Sequence, residues 1–255
     1  MSNIFERRFM PRFFVDSDFQ SGDAVALPDE VARHVQVLRL TTGDALTLFN
    51  GRGGQYEARL VEVGRRNALA QIGAFASVEV EAPYRITLAQ GIAGGDKMDW
   101  LIEKAVELGV SRVAPLATAR GVVRLSAERA SRRHAHWQGI VRAACEQCGR
   151  NRMPEVDPAC DLYNWLEMLP RSGDPGALRL MLSPRASIAF ETLPGTPPSA
   201  GVTLLIGPEG GLSPEEEDAA VAHGFTPLSL GPRVLRTETA GMAVLAALAA
   251  RWGGW

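Results

Sequence analysis

Apolar and polar positions alternate in short runs through roughly the first 75 residues. DAVALP, DALTLFN, QYEARLVEV and ALAQIGAF read as strands of period two, cut by the turn signals Thr42-Gly43-Asp44 and Gly51-Arg52-Gly53-Gly54. A short helix around Glu30 to Leu38 interrupts them, and the pattern predicts a small β-barrel over residues 1–76. ASVEVEAP, residues 76–83, reads as a linker ending in Pro83. From Tyr84 the period changes. YRITLAQGI is a strand of the fully buried type, and MDWLIEKAVELG places Leu101, Ile102, Ala105, Val106 and Leu108 on one helical face, with Gly109 suited to end the helix. VSRVAPLA is the next strand, completing a βαβ unit. A long helix is expected from Ala127 to Gly149. Strands follow at 177–184, 202–207 and 225–231, with helices over Pro214–His223 and Glu238–Trp252 and a Pro/Gly-rich surface loop at 193–201. Strands alternating with helices over residues 84–255 predict an α/β domain with a parallel sheet, following the N-terminal barrel.

Composition narrows this only slightly. The chain has 255 residues, 46% hydrophobic and 22% charged, as expected of a globular protein of one or two domains. No apolar run reaches the roughly 18 residues a bilayer requires, and no secretory signal is read at the start. Three cysteines give no disulfide framework and suit a reducing, cytoplasmic setting.

Two loops carry the candidate chemistry. LLIGPEGGLSPEEEDAA passes from strand to helix through Gly207, Gly210 and Gly211. Ser213 is a good N-cap, Pro214 fits the first helical position, and Glu216 completes a capping box. Glu209, Glu215, Glu216 and Glu217 would repel a phosphate, and no lysine is there to hold one. The glycines therefore suit close backbone approach to a neutral or cationic ligand such as S-adenosylmethionine, or else simply a tight turn. LSLGPRVLRTETAGMAVLAALAARW repeats the strand, glycine loop and helix order, with Thr237 or Thr239 able to cap a helix that is apolar nearly all round. Loops 207–211 and 231–236 are expected to meet at the carboxyl edge of the sheet, where open α/β folds bind ligands.

Net charge is −2, so any nucleic-acid contact must be local. Between Arg112 and Arg152 stand nine arginines, no lysine and only two acids, Glu128 and Glu146, an excess of +7 that fits a phosphate backbone or a solvated helix face. The N-terminal FERRFMPRFF interleaves arginine with phenylalanine, which suits RNA, although the rings also suit a barrel core. The candidate RNA contacts are Arg7, Arg8, Arg12, Arg39, Arg120, Arg124, Arg132 and Arg133. Cys145 and Cys148, with His134 and His136 nearby, have the spacing of half a zinc site, but they lie in a continuous helix with no second cysteine pair, so two reduced thiols and no metal are expected.

GPEGGLSPEE followed by LGPRVLRTETAG closely resembles the signature of the ribosomal RNA small subunit methyltransferase E family. KMDWLIEKAVELGVSRVAPL, RAACEQCGRNRMPEV, RFFV and HVQVLRLTTGD agree with it, so the resemblance spans essentially the whole chain; Cys148 stands where the family commonly shows serine. The resemblance implies a PUA-like barrel that binds RNA and a trefoil-knotted α/β domain of the SPOUT type, with S-adenosylmethionine as methyl donor. It implies methylation of N3 of a uridine in the decoding region of 16S ribosomal RNA or of the small subunit, and a homodimer through the last helix. A knotted methyltransferase of transfer RNA or of ribose 2′-O, and a non-catalytic assembly factor, remain as alternatives. The implied donor contacts are Leu182, Ser183, Ile206, Gly207, Glu209, Gly210, Gly211, Leu230, Gly231, Leu235, Arg236 and Thr239. Uridine N3 must lose a proton, so a base or a charge-stabilising cation is needed; Arg236 and Glu238 are the candidates, then Glu146 and Arg150.

Overall fold

The structure, a computed structural model, describes residues 10–121, 127–170, 176–186 and 188–255. Two compact units are recognised, one drawn from Met1–Val80 and Cys145–Met153, the other from Glu81–Ala144 and Pro154–Trp255.

The first unit contains β1 (Arg12–Phe14), β2 (Ala24–Ala26), α1 (Asp29–Val37), β3 (Ala45–Phe49), β4 (Gln55–Val63) and β5 (Ala68–Ala76). They form one five-stranded sheet in the order β1-β3-β4-β5-β2, antiparallel except for β1 beside β3. The period-two alternation has its expected consequence: Leu46, Leu48, Leu60, Ala70 and Ile72 turn inward onto Phe13, Val31 and Val35. Register shifts between Tyr56 and Ala58 and between Leu60 and Glu62 bend the long β4–β5 ladder.

The chain continues with β6 (Ile86–Gly91), α2 (Lys97–Glu107), β7 (Arg112–Ala117), α3 (Ala127–Cys148), β8 (Glu155–Val156), β9 (Cys160–Asp161) and α4 (Leu162–Met168), all in the second unit except the end of α3 from Cys145 onward, which belongs to the first. It continues through β10 (Ala177–Leu182), β11 (Ile188–Ala189), β12 (Gly201–Ile206), α5 (Pro214–Ala222), β13 (Thr226–Ser229) and α6 (Thr237–Trp252). The α/β class expected from the alternation is present. The sheet runs β11-β13-β10-β12-β6-β7-β8, with β9 also beside β7, and every pairing is parallel. Adjacent residues Leu88 and Ala89, and Leu204 and Leu205, are all fully buried, so both faces of the sheet are covered. One core joins Met181, Leu205 and Phe225 to Leu162, Trp165 and Leu166 of α4. Helices α2 and α6 pack on each other.

Helix α5 shows how local sequence sets the site. Ser213 accepts the Glu216 amide, while Glu216 returns a bond to the Ser213 amide at 2.8 Å, so the capping box forms as read. The other Glu216 oxygen accepts the Ala119 amide at 2.7 Å, and the side chain is only 1% exposed. Glu216→Ala strands two backbone donors and is expected to cost about 2–4 kcal/mol in urea denaturation. Glu216→Gln keeps one acceptor and is expected to lose clearly less.

Candidate active site

Strands β13, β10 and β12 lie side by side, and the chain leaves the carboxyl end of each into the wall of one cavity of about 650 Å³. The wall takes Leu182 at the end of β10 with Ser183 and Arg185 beyond it, residues 207–212 after β12, and Leu230, Gly231 and residues 233–236 after β13. The two glycine loops are thus brought together at the carboxyl edge of the sheet. Every donor contact expected from sequence lines this cavity except Thr239, which is exposed on the first turn of α6.

The reason Thr239 is absent lies two residues earlier. Arg236 is the N-cap of α6 and makes no side-chain capping bond, so neither threonine caps the helix as expected. Thr237 instead is buried, donates to the Gly207 carbonyl at 2.6 Å and accepts from Gln90 at 2.9 Å. Gln90, at the end of β6 and fully buried, also donates to the Gly207 carbonyl at 3.2 Å. Two side chains therefore anchor the first glycine of the cavity loop. A helix turn of about 100° per residue sends Thr239 elsewhere.

Glu209 occupies the cavity wall as an ionised partner. Its carboxylate accepts from Lys97 Nζ at 2.9 Å and from the Gly94 amide at 3.1 Å. Burial by itself would raise this carboxyl, but the bonds from Lys97 and from backbone amides outweigh it and hold it below the ordinary carboxylate range. Because its value is lowered on folding, the bond contributes above the ordinary range and is lost as pH falls through the depressed value. Donor binding followed by calorimetry is expected to stay flat through neutral and mildly acidic pH and then weaken. In Lys97→Met, burial prevails and the weakening should begin at higher pH; an unshifted profile would remove Lys97 from this role.

Glu217 lines the same wall, bonded to Arg185 at 2.7 Å and to the Ser183 hydroxyl at 3.4 Å. Arg120, expected at an RNA surface, donates instead to the carbonyls of Gly210 and Leu212 at 3.2 and 3.1 Å and forms part of the cavity. Lys97 and Arg185 enter the site only through the fold: their partners Glu209 and Glu217 lie 112 and 32 positions away along the chain.

Of the catalytic candidates, Arg236 and Glu238 line the cavity. Arg236 is exposed, and Glu238 holds a buried carboxylate oxygen, Oε2, with no hydrogen-bond partner among the described residues. Glu146 and Arg150 are not in the cavity wall. They belong to the first unit, where Glu146 accepts the Phe14 amide at 2.9 Å and Arg150 is 4% exposed. The same unit holds Arg12, whose guanidinium donates to Gln55 and, at 2.8 Å, to Asn151, and lies 5.0 Å from the centre of the Phe49 ring. Burial lowers its pKa from the ordinary arginine value. Arg12 is thus an internal brace rather than a free cation.

The basic segment is similarly partnered. Arg112 pairs with Asp157 at 2.8 Å, Arg132 with Glu128 at 2.6 Å, and Arg152 with Glu79 at 3.7 Å. The excess of +7 is therefore not a uniform electrostatic face. Arg39 is exposed and Arg133 half-exposed, and neither has a side-chain ion pair among the described residues. Arg7, Arg8 and Arg124 lie outside the described residues. His134 bonds the Val156 carbonyl at 2.8 Å, and His136 bonds Asp99 at 2.6 Å. Among the described residues no cluster suited to a metal and no helix long and apolar enough to cross a membrane is found.

Residues 80–249 match the model of an RNA methyltransferase domain, and residues 27–73 match an RNA methyltransferase PUA domain. The chain is 30% identical to ribosomal RNA small subunit methyltransferase E of Buchnera aphidicola subsp. Schizaphis graminum over 248 residues, covering 97% of this chain and 98% of that protein. The chain belongs to the ribosomal RNA small subunit methyltransferase E family. The family member from Bacillus subtilis is 29% identical over 94% of this chain and 96% of its own length. A crystal structure of the Neisseria gonorrhoeae methyltransferase E bound to S-adenosylmethionine superimposes with a TM-score of 0.88 at 38% identity, covering 95% of this chain and 98% of that one. A putative methyltransferase from Legionella pneumophila in complex with S-adenosylmethionine gives the same score and identity over 94% and 97%. Family membership identifies the five-stranded sheet with the PUA-type unit and the parallel sheet with the methyltransferase domain.

Proposed function

We propose that this protein transfers the methyl group of S-adenosylmethionine to N3 of a uridine in the decoding region of 16S ribosomal RNA. The observation that carries the proposal is the single cavity formed by the two glycine loops. Its size suits a drug-sized ligand. Of its acids, Glu209 and Glu217 are engaged by Lys97 and Arg185, while Glu238 keeps an oxygen unpartnered among the described residues and so tolerates a sulfonium nearby. Leu182, Ile206, Leu230 and Leu235 offer an apolar berth for adenosine, and the loop glycines allow close backbone approach.

The donor supplies an electrophilic methyl group on a positively charged sulfur. The chain must bring uridine N3 in line with that group and take the N3 proton. Glu238 is the proton acceptor in this reading, since it lines the cavity and no protein donor engages its Oε2 among the described residues. Arg236 stabilises the negative charge that spreads onto the flanking carbonyl oxygens as the proton leaves.

On the same reading, residues 1–76 form the RNA-binding domain and 84–255 the knotted catalytic domain of a cytoplasmic homodimer. The outer face of α6 supports the dimer: Met242, Ala243, Ala246 and Ala247 are apolar and only partly covered. The decisive test is methyl transfer assayed in parallel on naked 16S RNA and on small subunits from an unmodified strain, with nucleoside analysis of the product. N3-methyluridine is the expected product. A ribose 2′-O-methyl product, or transfer to transfer RNA added as a third substrate and not to the other two, would overturn the N3 assignment, and failure to bind the donor in calorimetry would point to an assembly factor.

A further inference from the structure

Five cationic side chains line the cavity, and they do not play equivalent parts. Lys97 is paired with Glu209 and Arg185 with Glu217, while Arg120 is spent on two carbonyls. Arg233 and Arg236 are exposed, and no hydrogen bond or ion pair engages either side chain among the described residues. The wall therefore keeps an unneutralised positive surplus on the 231–236 loop. The donor's sulfonium is repelled by such a surplus, and its one carboxylate can occupy at most one of the two arginines in a two-point contact. The proposed reaction supplies further anions in the phosphates of the substrate strand. Arginine's planar, always-charged fork matches a phosphate in two-point contact.

Beside Arg233 stands Val234, 80% exposed, the most exposed large hydrophobic side chain among the described residues. A single exposed valine is ordinary elsewhere on a surface. Here it sits on the lip of the cavity between two free arginines, in a stretch without regular secondary structure. Single-stranded RNA is recognised through bases turned out of their stack onto apolar or planar side chains, with cations on the adjoining backbone. The loop presents that combination.

We propose that Arg233 and Val234 form a docking tip for the substrate RNA strand, with Arg233 on a backbone phosphate next to the target nucleotide and Val234 against a neighbouring unstacked base. This rests on the functional reading above and assigns the tip to substrate rather than to donor or catalysis. Arg236, held at the start of α6, remains the charge-stabilising group, so the two unpaired arginines divide the work.

The test is filter binding of unmethylated small ribosomal subunits to the full-length protein across a salt series, alongside donor calorimetry and sedimentation. Removing one phosphate contact to a single strand lowers the slope of log affinity against log salt by about 0.7. Arg233→Ala is expected to lose that much slope and keep its affinity for S-adenosylmethionine, while Arg233→Lys keeps the slope. Val234→Asp is expected to weaken subunit binding with unchanged sedimentation. An unchanged slope in Arg233→Ala, a matching loss of donor affinity, or dissociation of an oligomer by Val234→Asp would each overturn the assignment. Those results leave the methyltransferase reading standing if the unaltered protein still binds donor and methylates subunits; if it does neither, that reading fails and takes the inference with it.

Discussion

Replacing Arg236 with alanine is expected to slow methyl transfer by roughly 10²–10³-fold without disturbing the fold, an effect the size of removing one charge-stabilising donor. The fold should survive because nothing in it depends on this side chain. Arg236 is exposed, its guanidinium has no partner among the described residues, and it caps α6 through backbone geometry, with φ −64° and ψ 153°, rather than through a side-chain bond. Alanine adopts those angles readily. The chemical step is another matter. Losing the N3 proton leaves an anion delocalised over two carbonyl oxygens, and a cation in a partly dry cavity stabilises it far more than water does. Arg236→Lys keeps the charge but not the planar fork and should fall between the two. The measurement is the single-turnover rate at saturating donor and RNA, which separates chemistry from binding. A near-normal rate in Arg236→Ala would remove Arg236 from catalysis. Glu238→Gln, which cannot accept the proton, should lose rate with a changed pH profile instead.

The elements legible in the sequence were those decided by neighbours in the chain. The α5 capping box needs only Ser213 to Glu216, and it forms. The end of α2 needs only Gly109, which takes φ +86°. The parallel arrangement of β6 and β7 follows from a strand, helix and strand with short joins. Elements decided by distant partners were harder. Strand β1 is three residues long and is a strand only because β3 lies beside it. Helix α4, LYNWLEM, spans seven residues, too short for a periodic signal, and is stabilised by Leu162, Trp165 and Leu166 in the core. The site divides in the same way. The two glycine loops announce themselves, whereas Lys97 meets Glu209 across 112 positions. Thr237 reads as a cap by its neighbours yet bonds Gly207, 30 positions away. The arginine-rich segment misled for the same reason: a charge count covers residues 112–152, but Asp157, Glu155 and Glu79 lie outside that window.

Gly91→Ala and Gly207→Ala are expected to abolish most donor binding, each by pushing on the same loop. A β-carbon on Gly91 would lie 2.5 Å from Cδ and 2.6 Å from N of Pro208. One on Gly207 would lie 2.7 Å from both the Gly211 carbonyl carbon and the Leu212 nitrogen. These neighbours are backbone or ring atoms, so no side-chain rotation relieves the clash, and the loop itself must move. Movement breaks the bonds from Thr237 and Gln90 to the Gly207 carbonyl and tilts residues 207–212 out of the wall they form. Overpacking of this kind costs about 1–3 kcal/mol of stability. The larger effect is on the ligand, where a misplacement of about 1 Å is enough for a loss near 10². Gly139→Ala is the contrast: nothing lies within 4 Å of its added carbon, and the position is inside helix α3, so alanine should stabilise by up to about 1 kcal/mol and leave donor binding intact. Calorimetry with S-adenosylmethionine and urea denaturation of all three variants distinguish the two mechanisms. If Gly91→Ala or Gly207→Ala binds the donor as well as Gly139→Ala does, the loop after β12 is not the surface that holds it.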